Sequence, residues 1–183
     1  TFDSIDQFRD VEVFTEFENM KQRGMSEAEA LDVIRNRCRD NARTPMQWDS
    51  EPFAGFSTVQ PWIDCNSDFK QYNVANQENE PSSVLSLYRY LLNLRNQDHS
   101  IADGHLVYLD KESLQNFSYL NSSDSGDYLV LCNFSKLPLT MTLTIDNLDA
   151  FSYVIGNQNS EKPLAKMMEL SPYEAHVYRR NHS

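Results

Sequence analysis

The apolar residues of this chain change period near residue 100, and that change limits the folds open to it. Up to Arg95 they recur at the spacing of a helix face, whereas beyond His105 they alternate with polar residues as in a half-buried strand. A chain patterned in this way is α+β, with helices in its first part and strands in its second.

Ser4 with Gln7 and Ser26 with Glu29 are capping-box pairs, and each starts a helix. The first carries Ile5, Phe8, Phe14, Phe17 and Met20 as far as Gly24 and is bent or broken near Asp10. The second buries Ala30, Leu31 and Ile34 and ends near Arg37. A third starts at Pro81-Ser82-Ser83, and its stripe of Val84, Leu87, Tyr88, Leu91, Leu92 and Leu94 requires a large surface to pack against. From Asn41 to Asn79 the chain reads as loop, interrupted by Pro45, Pro52, Gly55 and Pro61. It is nevertheless rich in aromatics, among them Trp48, Phe53, Phe56, Trp62, Phe69 and Tyr72.

Six strands follow: Leu106–Leu109, Leu114–Leu120, Tyr128–Phe134, Leu139–Ile145, Phe151–Ile155 and Glu174–Tyr178. Asn121 to Gly126 reads as a turn cluster, and further short strands are expected near Leu164 and from Met168 to Leu170. Thr140, Thr142 and Thr144 alternate with Leu139, Met141, Leu143 and Ile145, which predicts an antiparallel strand with one wet face. The second part is thus expected to be an antiparallel β-sandwich, with the boundary near residues 97–104, so that domains span 1–98 and 99–183. Three helices and a loop do not close a core alone, so residues 1–98 are expected to expose apolar faces and self-associate.

Composition removes several functions. No run approaches the roughly 18 apolar residues of a membrane span, so no membrane partner is expected. With 27 acidic against 16 basic residues the net charge is −11, and nucleic acid has no basic footprint to bind. Cys38, Cys65 and Cys132 are widely spaced without a CxxC pair, and read as free thiols of a reducing, cytoplasmic compartment. His99, His105, His176 and His182 lie outside any metal-ligand spacing, and five glycines form no phosphate loop, so neither metal nor other cofactor is expected. The chain opens on Thr1-Phe2-Asp3-Ser4, already at a helix start, and reads as an excised piece.

Two features remain as candidate chemistry. Asp3, Asp6, Asp10, Glu12, Glu16 and Glu18 read mostly as a solvated helix face, with Asp10-Val11-Glu12 set apart if the helix breaks there. The stretch from Cys38 to Asp49 packs Arg39, Asp40, Arg43, Pro45, Trp48 and Asp49 together. A guanidinium holds a carboxylate and a sugar hydroxyl at once, so the stretch is either a sugar clamp or a structural salt-bridge network.

RDNARTPMQWD (39–49), AGFS (54–57), PWI (61–63), DFKQYNV (68–74), SVLSLYRYLLNLRN (83–96) and LSPYEAHVY (170–178) together resemble the C-terminal third of the α-glucosidases of the α-amylase superfamily. Oligo-1,6-glucosidases and dextran glucosidases are the nearest in look. FDSIDQFRDVEVF (2–14) is similar to the segment after that family's last barrel strand, and the likeness runs from about residue 2 to 180. The 39–49 block is shared with trehalose-6-phosphate hydrolases, trehalose synthases and sucrose isomerases, so it marks the branch and not the substrate.

The resemblance implies that residues 1–98 are the end of a (β/α)8 barrel and that the parent is a retaining enzyme. Such a parent cleaves α-1,6 or α-1,4 bonds of short oligosaccharides, isomalto-oligosaccharides above all, from the non-reducing end. The family's catalytic carboxylates come from earlier strands, so no catalytic residue is expected here and the chain alone should be inactive. Arg43 matches the arginine that holds the non-reducing glucose, and Glu12 an acidic residue of the next subsite; Arg39 and Asp40 match structural positions. Cys38 departs from the glycine or serine usual in the family. The rival class is a non-catalytic module, in which the sandwich props a barrel or binds glycan. Tyr108, Phe117, Tyr119, Phe134, Phe151 and Tyr153, read as mostly inward-facing, argue against glycan.

Overall fold

The computed structural model describes residues 2–158 and 160–182, which form two compact units, residues 1–85 and 86–183. The described residues contain no helix long and apolar enough to cross a membrane.

In the first unit a 3-10 turn, Ile5–Gln7, precedes α1 (Val11–Gln22) and α2 (Glu27–Arg37). The expected break falls at Asp10, whose side chain accepts from the Glu12 N–H at 3.3 Å and caps α1. Ser26 and Glu29 close their capping box: the Ser26 N–H donates to Glu29 Oε2 at 2.9 Å and the Glu29 N–H to Ser26 Oγ at 3.3 Å. Gly24, at φ 93°, turns the chain between the helices, a conformation that costs any side chain. Ala30 is fully buried and lets α2 approach α1 closely, while Phe2, Phe8, Val13, Phe17, Ile34 and Ile63 complete the core. Phe8 is 1% exposed and stacks on Phe2 at 4.4 Å; burial of such a side chain contributes about 1.5–3 kcal/mol.

The stretch 41–79 is less irregular than its composition predicts. It holds 3-10 turns at Arg39–Ala42 and Pro52–Gly55 and a short helix, α3 (Val74–Glu78). α3 is capped by buried Asn73, whose side-chain Oδ1 accepts from the Asn76 N–H at 2.8 Å while its Nδ2 donates to the Phe69 carbonyl at 2.8 Å. The Trp48 and Asp49 N–H groups both donate to the Ala54 carbonyl, and the Val74 and Ala75 N–H groups to the carbonyls of Gln47 and Trp48. Phe53, Ala54 and Gly55 all have left-handed φ, and the Asp49 carboxylate occupies the place where a Gly55 side chain would project. Trp48, Phe56, Trp62 and Tyr72 stay exposed.

α4 (Val84–Gln97) runs across the division, and the described residues of the second unit also form α5 (Ser100–Asp103) and seven strands. β1 (His105–Tyr108), β2 (Tyr119–Ser123), β3 (Gly126–Cys132), β5 (Ser152–Gly156) and β7 (Ala175–Asn181) form an antiparallel sheet in the order β1-β2-β3-β7-β5. β4 (Leu139–Thr142) and β6 (Met167–Leu170) form a separate ribbon. Leu129, Leu131 and Tyr178 from the sheet meet Met141, Met168 and Leu170 from the ribbon, with Leu143 and Phe151, in one apolar core.

Several expectations change here. No strand lies near Leu164 among the described residues. Leu114 to Ser118 contribute only the Asn116–Asn133 bridge, and Leu114 is fully exposed. Asn121 to Ser123 are strand rather than turn, because neighbours take their polar donors: Asn121 Nδ2 donates to the Ile101 carbonyl at 2.9 Å and Ser122 Oγ to Asp127 Oδ1 at 2.6 Å. Tyr108, Phe117 and Phe134 are not inward-facing; with Tyr119 they make a row of tilted and edge-to-face rings, exposed or half-buried, 5.8–6.3 Å apart. No residue of α4 is buried, and an apolar space of about 450 Å³ separates Leu87, Leu91 and Leu94 from Tyr119, Val130 and Val177. The helix end is nevertheless fixed to the sheet through Asp98, which accepts from Ser100 Oγ at 2.6 Å, Tyr128 Oη at 2.7 Å and Arg179 Nη2 at 2.8 Å.

Candidate functional site

The arginines of residues 39–49 and the acidic residues at the start of α1 come together in the first unit. Arg39 grips Asp10 with two hydrogen bonds, Nε to Oδ2 and Nη2 to Oδ1, both 2.7 Å, and its Nη2 reaches Glu12 Oε2 at 3.1 Å. Arg43 Nη1 donates to Asp40 Oδ1 at 3.0 Å and stands 3.9 Å from Asp10 Oδ2. Asp40 is fully buried, and its Oδ2 accepts from the N–H groups of Arg9 at 2.6 Å and Asp10 at 2.9 Å.

The Arg39–Ala42 turn makes this assembly, since it carries Asp40 and Arg43 on one wall, joined by an Arg43 N–H to Asp40 carbonyl bond of 3.0 Å. Two guanidiniums thus face three carboxylates, and the Arg39–Asp10 pair is bidentate, a geometry that fixes orientation as well as charge.

Both Asp10 and Asp40 are held ionised. The Arg39 hydrogen bonds draw the Asp10 carboxyl below its ordinary value, against its burial. Burial pushes Asp40 up, but the Arg9 and Asp10 N–H groups and Arg43 together carry it below the usual carboxylate range. Asp10 in turn raises the Arg39 guanidinium. Carboxyls held in this way donate no proton near neutral pH, so neither Asp10 nor Asp40 can serve as a general acid. Asp10, Cys38 and Asp40 are close enough to share a cation, yet the two carboxylates already serve guanidinium and N–H donors, and burial raises the Cys38 thiol.

Of the residues singled out in the sequence, Glu12 and Arg43 belong to one network but do not touch. Glu12 is exposed and lines a cleft of about 300 Å³ between α1 and α2 with Asp10, Glu16 and Arg39; Arg43 lies outside that cleft. Arg43 Nε and Nη2 have no partner among the described residues and remain as donors. Asp10, set apart from the solvated acidic face because of the helix break, is 5% exposed, with its main-chain and side-chain atoms both engaged. The stretch thus forms the salt-bridge network, with Arg39 on Asp10 and Glu12 and Arg43 on Asp40 at its edge.

A second ionic cluster, in the second unit, escaped sequence reasoning. Glu174, buried beside β7, accepts from Lys162 Nζ at 2.7 Å and shares a 2.6 Å hydrogen bond with His176 Nε2. Burial pushes its carboxyl up, but Lys162, His176 and the Ser171 N–H carry it down to about 2. Gly156 packs against His176 so closely that a Cβ there would lie 2.5 Å from Nδ1. The only sequence signal was a glutamate and a histidine at alternate positions of an otherwise apolar strand pattern.

The chain resembles known proteins along nearly its whole length. The family model of the alpha-amylase catalytic domain matches residues 10–104. The probable oligo-1,6-glucosidase 3 of Bacillus subtilis (strain 168) is 32% identical over 179 residues, 97% of this chain and 32% of that protein. The trehalose-6-phosphate hydrolase of Bacillus licheniformis superposes with a TM-score of 0.90 at 29% identity, over 99% of this chain and 33% of its own. The trehalulose synthase of Pseudomonas mesoacidophila MX-45 superposes with a TM-score of 0.85 at 31% identity, over 98% and 33%. The chain spans about a third of the length of the curated relatives it matches. The matched catalytic-domain segment carries the Arg39–Asp10 and Arg43–Asp40 pairs, and the chain belongs to the alpha-amylase family.

Proposed function

We propose that the chain is the C-terminal portion of a retaining α-glucosidase acting from the non-reducing end of short α-1,6-linked oligosaccharides, and of α-1,4-linked ones as well. The observation that carries this is Arg43: one nitrogen is fixed on buried Asp40 while two donors stay available, the arrangement a sugar-holding guanidinium requires. Glu12, gripped by Arg39, would contact the adjoining glucose. Oligo-1,6-glucosidases among the relatives favour this substrate class, while the structural neighbours make trehalose-6-phosphate and sucrose the substrates to test beside it.

In this reading residues 1–98 are the end of a (β/α)8 barrel, in keeping with a family match that stops at residue 104. Residues 99–183 are a β-sandwich that props it. The rest of the barrel would cover the exposed side of α4, where Val84, Tyr88 and Leu92 project. The parent would be cytoplasmic, where the three free thiols stay reduced. Asp10 and Asp40 are not poised as acids, and the general acid, nucleophile and transition-state carboxylate would lie outside the chain, so the chain alone would be inactive.

The test is the natural polypeptide. An antibody against residues 99–183 should precipitate a chain about three times as long, in proportion to the relatives, that releases glucose from isomaltose with retention. A precipitate cleaving only trehalose-6-phosphate, or isomerising sucrose, would replace the substrate; hydrolysis of p-nitrophenyl α-glucoside by the pure 183-residue chain would overturn the reading. Saturable binding of isomaltose or dextran to that chain through its aromatic row would favour the glycan-binding module instead.

A further inference from the structure

Asp40 is the least exposed member of the Arg39–Arg43 network, and both of its carboxylate oxygens are engaged. Its Oδ1 takes the Arg43 guanidinium, and its Oδ2 takes two successive backbone N–H groups, of Arg9 and Asp10, at the entry to α1. The second of these belongs to the residue that caps α1 through the Glu12 N–H and that Arg39 grips from the other side. One buried carboxylate therefore fixes Arg43 and the start of the helix bearing Glu12.

From this geometry we infer that Asp40 is a positioning residue, which sets the Arg43 guanidinium and the Asp10–Glu12 helix start in one fixed relation. The inference rests on the sugar-holding role proposed above for Arg43. A carboxylate suits the task because it accepts at both oxygens, so one side chain orients a guanidinium and a backbone turn together. Asparagine keeps one acceptor and adds two donors. One of these would have to face either a guanidinium or two N–H groups, all donors themselves, and one side of the arrangement must then open. Burial excludes water that would otherwise screen or replace these bonds.

The test has two arms. In the 183-residue chain, the Arg43 Nη signals in nitrogen NMR should be resolved, because the ion pair hinders rotation about Nε–Cζ, whereas Arg23, exposed and without a side-chain partner among the described residues, should show averaged signals. Asp40→Asn should average the Arg43 signals and shift the Arg9 and Asp10 amides while the Phe8, Ala30 and Ile34 signals keep their native pattern. If that variant loses its fold, the wild-type comparison decides alone: Arg43 rotating as freely as Arg23 overturns the inference.

In the parent enzyme, Asp40→Asn should lower kcat/KM for isomaltose by about tenfold to a hundredfold, the loss of a charged hydrogen bond. The double variant with Arg43→Ala should lose less than the product of the two single losses; losses that multiply would overturn the coupling. Unchanged kcat/KM in Arg43→Ala, with the NMR result as expected, would remove the sugar role of Arg43 and leave the positioning of its side chain standing.

Discussion

Replacing Glu174 by glutamine should make the β unit less stable at neutral pH and flatten its response to acid. The buried carboxyl titrates at about 2 in the folded chain, against an ordinary value of 4.5, because Lys162, His176 and the Ser171 N–H outweigh its desolvation. At about 1.4 kcal/mol per pH unit, that gap corresponds to roughly 3 kcal/mol. Its folded value is depressed, so the contribution is present in full above pH 4.5. It declines as the pH falls from there toward 2, where both states bind the proton. Glutamine cannot ionise, so the variant should lack this contribution at pH 7 and lose nothing from this site on acidification.

Hydrogen exchange at the amides of Leu129, Leu131 and Tyr178, in the β3–β7 pairing, reads the effect directly. A loss of roughly 3 kcal/mol is a fall in protection of about two orders of magnitude at neutral pH. The gap between wild type and variant should narrow from pH 4.5 downward and vanish near pH 2. Equal protection of the two proteins at pH 7, or a gap that widens in acid, would refute the reasoning.

Leu131→Ala removes a fully buried side chain from the contact between sheet and ribbon, and should cost about 2–5 kcal/mol, read as a lower urea midpoint for the strand amides. Gly156→Ala should destabilise the β unit by about 1–3 kcal/mol, since the new methyl would meet His176 Nδ1, Tyr153 Oη and the Ala175 carbonyl within 2.9 Å; a denaturation midpoint at or above wild type would contradict this. Ser26→Ala breaks the capping box of α2 and should cost about 1 kcal/mol, seen as earlier loss of the helical circular dichroism signal on heating.

The helices were legible in the sequence because their signals are local. Ser26 and Glu29, three positions apart, start α2, and the disturbed spacing after Phe8 marked the break that Asp10 caps. The strands were legible where one face is buried, as with Leu129 and Leu131, and misread where polar side chains find distant partners. Asn121 looks like a turn former until Ile101 supplies its acceptor, twenty positions earlier. α3 was hidden because its cap, Asn73, is the kind of residue that also fills loops.

The candidate site was half legible for the same reason. The composition of the Arg39–Asp49 stretch announced an ionic assembly, and Arg43 and Glu12 were singled out, but only the fold brings residues 9, 10 and 40 together. Sequence spacing does not report that an aspartate accepts from backbone thirty positions away, and so Asp40 passed for an ordinary structural residue. The Glu174–His176–Lys162 cluster was missed because nothing marks a charge as buried until its partners surround it.

Both tryptophans, Trp48 and Trp62, lie in the first unit, on the exposed rim of the aromatic stretch, and the β unit has none. Intrinsic indole emission is therefore a built-in reporter of that stretch alone. A ligand, a partner or a substitution that reorders it will shift the emission without any label, while loss of the β unit is read separately through tyrosine and strand amides.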